Sequence, residues 1–213
     1  MSKPRLLDLF CGAGGCSMGY HRAGFEVVGV DNRFQKNYPF EFHQADAMTF
    51  PLDGFDVIHA SPPCQGYSIS KNNGCHKNAP LLIEAVRARL VDSGAVYIIE
   101  NVPGSPLQFP FELCGASFGL GVSGMDLARH RGFESSRMIF APPCRHRRGK
   151  TIGVYGHGTN RYHLEKIGRC ITQAEKREAM GIDWMTCAEL SQAIPPAYTE
   201  WIGRQILDVA NPG

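Results

Sequence analysis

Cys64 stands in the run Ser61-Pro62-Pro63-Cys64-Gln65-Gly66-Tyr67-Ser68, directly after the apolar stretch Phe55-Asp56-Val57-Ile58-His59-Ala60. So short an apolar run reads as a buried strand, and the two prolines stop it. A cysteine at the carboxyl end of a strand in an open α/β sheet lies where ligands bind, and its thiolate would be a nucleophile. The plain alternative is a core cysteine behind a Pro-Pro turn. The second candidate is Glu100. Ala95-Val-Tyr-Ile-Ile99 reads as another buried strand, and it delivers Glu100-Asn101-Val102-Pro103. A carboxylate there is unfavourable unless paired or functional, and burial raises its pKa. Such a group can hold a proton near neutrality; the alternative is a turn carboxylate satisfied by backbone donors.

The elements that must position these groups begin at the amino end. Residues 5 to 10 read as a first strand that breaks into Cys11-Gly12-Ala13-Gly14-Gly15. A helix follows from Cys16 to Ala23, with Gly24 as its stop. Glycine in that turn permits a tight bend and close backbone approach to a ligand. Glu26 to Val30 reads as a second strand ending at Asp31, about 20 residues past the first glycine, where an acid can take ribose hydroxyls. Phe42 to Ala45 is a short third strand with Asp46 at its tip. A dinucleotide fingerprint fails at Ser17, which occupies the third glycine place. A glycine turn, two acids at successive strand ends and no phosphate-binding lysine suit a nucleoside-type ligand without phosphates, a description S-adenosylmethionine meets. For either acid alone, a cap or turn role explains it equally well.

At 213 residues, 43% hydrophobic and 20% charged, the composition is that of a soluble globular chain, expected as one domain over 1–213. No apolar run approaches membrane-spanning length, and Met1-Ser2-Lys3-Pro4-Arg5 leads straight into a strand, so a cytoplasmic protein without signal peptide is expected. Cys11, Cys16, Cys64, Cys75, Cys114, Cys144, Cys170 and Cys187 include no Cys-x-x-Cys pair; Cys144-x-His146 is the nearest to a ligand pair, and no metal site is expected. Net charge is only +2, but Arg129, Arg131, Arg137, Arg145, Arg147, Arg148, Lys150, Arg161, Lys166 and Arg169 fall in one segment, opposed by Glu134 and Glu165. A polyanion is the natural partner, with a solvated basic face as the alternative.

The polar, glycine-bearing run after Ser68 reads as a loop that could act as a lid. Leu81 to Val91 reads as an amphipathic helix, Phe111 to Leu120 as helix or turn before a glycine-rich connection, and Ser136 to Phe140 and Thr151 to Tyr155 as short strands. Thr172 to Met180 reads as a helix with Thr172 and Glu175 in a capping box, and Ala197 to Val209 as a closing amphipathic helix. His157 and His163 receive no role.

The ordered set Asp8-Leu-Phe-Cys-Gly-Ala-Gly-Gly15, Asp31, Asp46, Pro62-Pro-Cys-Gln65, Glu100-Asn-Val102 and Arg129-x-Arg131 resembles the cytosine-5 DNA methyltransferases, and Arg177-Glu178 and Ala193-Ile-Pro195 resemble that family's closing motifs. The resemblance implies an α/β class I S-adenosylmethionine-dependent fold, Rossmann-like and doubly wound, mostly parallel with one reversed strand. It implies transfer of a methyl group to C5 of cytosine in double-stranded DNA, with the base flipped out. Cys64 would add to C6, making C5 nucleophilic, while Glu100 donates a proton or hydrogen bond at N3. Arg129 and Arg131 would hold the base O2 side and nearby phosphate. For the cofactor the resemblance carries over Phe10, Gly12, Gly14, Gly15, Asp31, Asp46, Pro63 and Leu81, and more weakly Gln192 and Ala193.

Three positions depart from the family pattern: Asp31 replaces a glutamate, Leu127 stands where a glutamine begins Gln-x-Arg-x-Arg, and Ser191-Gln192 replaces Gly-Asn. The family's long target-recognition region shrinks here to a basic insert, 141–170. Phosphate contacts carry no sequence information, so low or very short specificity, or specificity supplied by a protein partner, is expected. The compact size suits a phage or bacterial mobile element. Two other readings stand beside this one: an RNA-directed enzyme of the transfer-RNA type, and a non-catalytic DNA-binding relative.

Overall fold

The structure, a computed structural model, describes residues 2–67, 80–147, 149–155 and 168–210. Five strands and two helices make up the first half: β1 (Arg5–Leu9), α1 (Gly15–Ala23), β2 (Glu26–Asp31), β3 (Glu41–Gln44), β4 (Val57–Ala60), α2 (Ile83–Ser93) and β5 (Val96–Asn101). Then come β6 (Phe111–Leu113), a 3₁₀ turn over Gly115–Phe118, β7 (Gly121–Val122), β8 (Met125–Leu127), β9 (Arg131–Ser135) and β10 (Thr151–Ile152). Helices α3 (Gln173–Met180), α4 (Cys187–Gln192) and α5 (Pro196–Ala210) close the chain.

The main sheet has seven strands in the order β3-β2-β1-β4-β5-β9-β6. Pairing is parallel from β3 to β5, and β9 alone runs against its neighbours β5 and β6. This is the mostly parallel, one-strand-reversed sheet expected above. The order turns back between β1 and β4, and the strand ends at that reversal point form the crevice where open α/β sheets take ligands. β1, β2 and β4 are buried along almost their whole length because helices cover both faces of the sheet. Leu6, Val27, Val57 and Ile98 pack with Tyr198, Ile202 and Ile206 of α5 on one face; Leu7, Leu9, Val28 and Ile58 pack with Val86 and Leu90 of α2 on the other.

Helix α5 lies against α1 at very short range. A Cβ on Gly19 would sit 2.0 Å from Thr199 Oγ1 and 2.1 Å from the Pro196 carbonyl, and one on Gly203 would sit 2.8 Å from the Ala23 Cβ. Backbone contact of this kind accepts only glycine, so the closing helix is docked directly on the helix that follows the glycine turn.

Several expected elements are displaced. The strand read at Ser136 to Phe140 lies instead at Arg131–Ser135. The ladder with β5 ends where Tyr97 and Ser136 exchange hydrogen bonds, Ser136 N to Tyr97 O at 3.0 Å and Tyr97 N to Ser136 Oγ at 2.9 Å. Beyond it the chain leaves the sheet, and Met138 and Phe140 are exposed. The helix or turn read at Phe111 to Leu120 is an edge strand and a 3₁₀ turn, because β9 offers a free edge and the Phe111 ring stacks on Phe133 at 5.6 Å. The glycine-rich connection after it is a hairpin, β7 and β8, which β10 joins to make a second, three-stranded sheet. The run after Ser68 lies outside the described residues.

Asp8 is a fully buried carboxyl in β1. Ser17 donates to Asp8 Oδ2 at 2.5 Å, while Oδ1 has no partner among the described residues. Burial pushes its pKa up to about 7, against the lowering effect of Ser17, with the charge of Asp31 adding to the rise. The folded chain thus keeps a proton that the unfolded chain releases, so stability falls as pH climbs from the ordinary aspartate range through about 7. Asp8→Asn should remove this dependence. In urea titrations the variant should gain on the parent between mildly acidic and mildly alkaline buffer, by up to about 4 kcal/mol; unfolding midpoints that shift in parallel would contradict it.

Candidate active site

β4 and β5 lie side by side, and each ends in a group with chemistry. The Pro62–Tyr67 turn that carries Cys64 is tied down at three points. Ser61 N donates to the Leu9 carbonyl at 3.1 Å, Asn101 Nδ2 donates to the Pro62 carbonyl at 2.9 Å, and Ile83 N donates to the Tyr67 hydroxyl at 3.2 Å. Asn101 is thus the strut between the two strand ends, holding the cysteine turn in register with Glu100 one residue before it. Cys64 is half-buried and a free thiol.

Glu100 is 6% exposed and pairs with Arg131 of β9, Nε to Oε1 at 3.2 Å. Burial raises its pKa, opposed first by Arg131, then by a hydrogen bond from Ser61 and by Arg129. Burial also raises the pKa of Cys64; the charge of Glu100 raises it further, and Arg131 lowers it. The two groups therefore share one electrostatic environment. A proton on Glu100 removes the negative charge that opposes the Cys64 thiolate, so protonated carboxyl and thiolate favour each other.

Glu100 also has support that sequence reasoning missed. Tyr20 of α1 meets His59 Nδ1 at 3.0 Å, and His59 Nε2 meets Ser61 Oγ at 3.0 Å. Ser61 in turn bonds Glu100. Burial pushes His59 down to about 3, so its ring is neutral and carries one proton. With Tyr20 donating to Nδ1, the Nε2 proton goes to Ser61, leaving the serine hydroxyl to donate to the carboxylate. A histidine inside an apolar strand run was the available signal.

Of the two arginines, only Arg131 meets Glu100 directly. Arg129 is 0% exposed: Nη2 donates to the Ser191 carbonyl at 2.9 Å, Nη1 donates to the Val154 carbonyl, and Tyr155 lies over the guanidinium. Its own carbonyl accepts from Tyr198 at 2.5 Å. The expected phosphate contact does not fit that burial. Arg129 instead clamps the arginine motif to the second sheet and to the end of α4. Its Nε and Gln65 Oε1 are both buried without a partner among the described residues, which leaves two unused polar atoms in residues of the arginine and Pro-Cys-Gln motifs.

The glycine turn stands at the neighbouring strand end. Phe10 holds φ at +60° and Gly12 at +49°, left-handed values that turn the chain sharply after β1. A Cβ on Gly12 would face open space, whereas one on Gly15 would strike the Ile194 carbonyl at 2.4 Å and one on Gly14 the Pro39 side chain at 2.9 Å. The closing segment Ala193-Ile194-Pro195 is therefore packed onto the back of the turn, and Trp184 Nε1 adds a bond to the Ala13 carbonyl at 2.9 Å. Asp31 accepts from Gly12 N at 3.1 Å and Arg33 N at 3.0 Å, so it braces the turn with lone pairs to spare. Asp46 is exposed and accepts from Met48 N at 2.8 Å. Pro63 is half-buried; Leu81 is 65% exposed beside the undescribed segment.

The basic segment is less uniform than its sequence. Arg147 pairs with Asp126 at 2.9 Å and Arg169 with Glu175 at 2.6 Å. Glu134 is spent on Arg87 of α2, at 2.7 Å. Arg137, Arg145 and Lys150 are exposed without an ion pair among the described residues; Arg148, Arg161 and Lys166 lie outside them.

Comparison with known proteins gives the family. The family of C-5 cytosine-specific DNA methylases matches residues 4–105. The type II methyltransferase M.HgiGI of Herpetosiphon aurantiacus is 32% identical over 119 residues, covering 49% of this chain and 94% of that protein. The chain belongs to the C-5 cytosine-specific DNA methylase family. It spans much less of another relative, M.HgiDI of the same organism, which is 31% identical with 38% of its length covered. A solved structure described as a candidate DNA modification methyltransferase of an E. coli prophage superposes with a TM-score of 0.67 at 15% identity, covering 98% of this chain and all of that one. That likeness concerns the fold.

S-adenosylmethionine is the family's cofactor, and the residues here fit it: open space over Gly12, a braced Asp31 and an exposed Asp46 on successive strand tips. The shared electrostatics of the two strand ends give a direct check. Glu100→Gln should lower the Cys64 pKa and speed its alkylation by iodoacetamide at neutral pH roughly threefold or more, followed by peptide mass spectrometry. Unchanged or slower alkylation would place the two groups in separate environments.

Proposed function

We propose that the chain is a DNA (cytosine-5-)-methyltransferase that modifies a cytosine flipped out of double-stranded DNA, using S-adenosylmethionine. The single observation that carries this reading is that the Cys64 turn and Glu100 follow from the paired strands β4 and β5, bridged by Asn101, with Arg131 of β9 bonded to Glu100. Ring carbon C5 of cytosine is a poor nucleophile. Addition of the Cys64 thiolate at C6 breaks the C5–C6 double bond, and the electron pair moves toward N3, where Glu100 delivers its proton. C5 is then the nucleophilic end of an enamine. The cofactor supplies an electrophilic methyl group on sulfonium. Loss of the C5 proton to a base and departure of Cys64 as thiolate restore the aromatic ring, and Glu100 takes back the N3 proton. Arg131 steadies the Glu100 carboxylate after it has given its proton, and Asn101 keeps the thiol in register. Flipping the base requires a few kcal/mol, about what pocket contacts can return.

Exposed Arg137, Arg145 and Lys150 suit phosphate contacts, which position a duplex without reading it. We place target choice at about one or two base pairs, with any longer specificity supplied by a protein partner. No described helix is long and apolar enough to cross a membrane, and DNA as substrate puts the chain in the cytoplasm.

Incubation with labelled S-adenosylmethionine and duplex DNA, then nucleoside analysis, should yield 5-methylcytosine, lost in Cys64→Ser and reduced about 10²–10⁴-fold in Glu100→Gln. Duplex carrying 5-fluorocytosine should form a covalent adduct with the parent and none with Cys64→Ser. Label confined to RNA, or DNA binding without transfer, would overturn the reading. Bisulfite sequencing of the product should show a context of about one or two base pairs; a defined site of roughly four or more would contradict the role given to the short insert.

A further inference from the structure

The cysteines lack the spacing of a metal motif, yet the fold gathers four soft ligands at one point. Cys114, His130, Cys144 and His146 place their ligand atoms all within 4.8 Å of one another. They come from three segments around the second sheet. Cys114 precedes the 3₁₀ turn, His130 lies between the two arginines of Arg129-x-Arg131, and Cys144 and His146 follow Pro142-Pro143 in the basic insert. Cys114 is buried, both histidines are half-buried and Cys144 is exposed. Cys144 Sγ and His130 Nε2 are 3.4 Å apart, and the two imidazole rings stand nearly perpendicular with centroids 5.3 Å apart.

We propose that these four side chains form a structural zinc site. Zinc favours tetrahedral sets of two thiolates and two imidazoles, and Zn–S and Zn–N bond lengths imply ligand–ligand edges of about 3.3–3.8 Å. The present set needs only a small contraction to reach them, and the Cys144–His130 edge already has that length. Binding converts two thiols to thiolates and releases two protons, so the completed site is neutral and suited to its half-buried place. The surroundings hold the ligands in position without the ion. Ser117 donates to the Pro143 carbonyl at 3.1 Å on one side of the insert, and the Arg147–Asp126 pair anchors the other. In the metal-free chain the Cys114 thiol donates to the Leu127 carbonyl at 3.6 Å, through the proton it gives up on binding.

Zinc here would fasten the start of the basic insert to the strand that carries Arg131. The site would thus fix the DNA-facing segment relative to the Glu100 pocket, without taking part in the chemistry. The zinc ion would be coordinatively closed, with no position for water.

The test is metal analysis of tag-free protein purified from zinc-supplemented cells under reducing conditions. About one zinc per chain is expected. Cys144→Ser and, separately, His146→Asn should lower that content about tenfold or more, while Cys170→Ser, which removes an exposed cysteine outside the cluster, should keep it. Replacement by Co²⁺ should give the intense ligand-field and thiolate charge-transfer bands of a tetrahedral S₂N₂ site. Metal-free protein that gives no such bands with Co²⁺, a Cys144→Ser variant that keeps its zinc, or a Cys114–Cys144 disulfide in the reduced preparation would overturn the proposal.

Discussion

The ion pair between Glu100 and Arg131 is the constraint on which the site depends. A carboxylate so deeply buried is tolerated only with a partner, and Arg131 reaches it from the one reversed strand of the sheet. The pair also does more than neutralise a charge. Arg131 opposes the rise that burial imposes on both Glu100 and Cys64, so one guanidinium acts on both groups. Removing either partner would leave the other as an uncompensated buried charge, which is the more severe loss.

Much of the fold serves to bring that pair beside the thiol. The parallel strands β4 and β5 supply adjacent ends, and Asn101 bridges them. The reversed β9 is held from behind by Arg129, whose guanidinium reaches the second sheet and α4 while Tyr198 of α5 bonds its carbonyl. Helix α5 is in turn locked on α1 through Gly19 and Gly203, and the preceding segment presses on Gly15. The segment from Trp184 to Gly203 therefore supports the glycine turn and the arginine motif together.

Strand ends were legible in the sequence because apolar runs in a doubly covered parallel sheet stop abruptly at turn residues; Cys64, Asp31 and Glu100 were found that way. The Thr172–Glu175 capping box was equally legible, being a local contact. The matching box at Thr186 and Glu189 was overlooked, and with it the six-residue α4. Other features depend on long-range partners. Arg129 reads as a ligand for phosphate until the fold wraps it in carbonyls. Phe111–Leu113 becomes a strand only because β9 has an edge to fill, and the Tyr20–His59–Ser61 chain joins a helix to a strand across 39 residues. Of the Cys114, His130, Cys144 and His146 set only Cys144-x-His146 is local in sequence, and the fold alone brings the other two to it.

The most direct measurement is a crystal structure of the chain trapped on a duplex containing 5-fluorocytosine. The expected result is a bond from Cys64 Sγ to ring carbon C6, with the Glu100 carboxyl about 2.6–3.2 Å from N3 and Arg131 still at its side. A base bound with N3 facing any other group, or a sulfur other than that of Cys64 on the ring, would contradict the shared pocket.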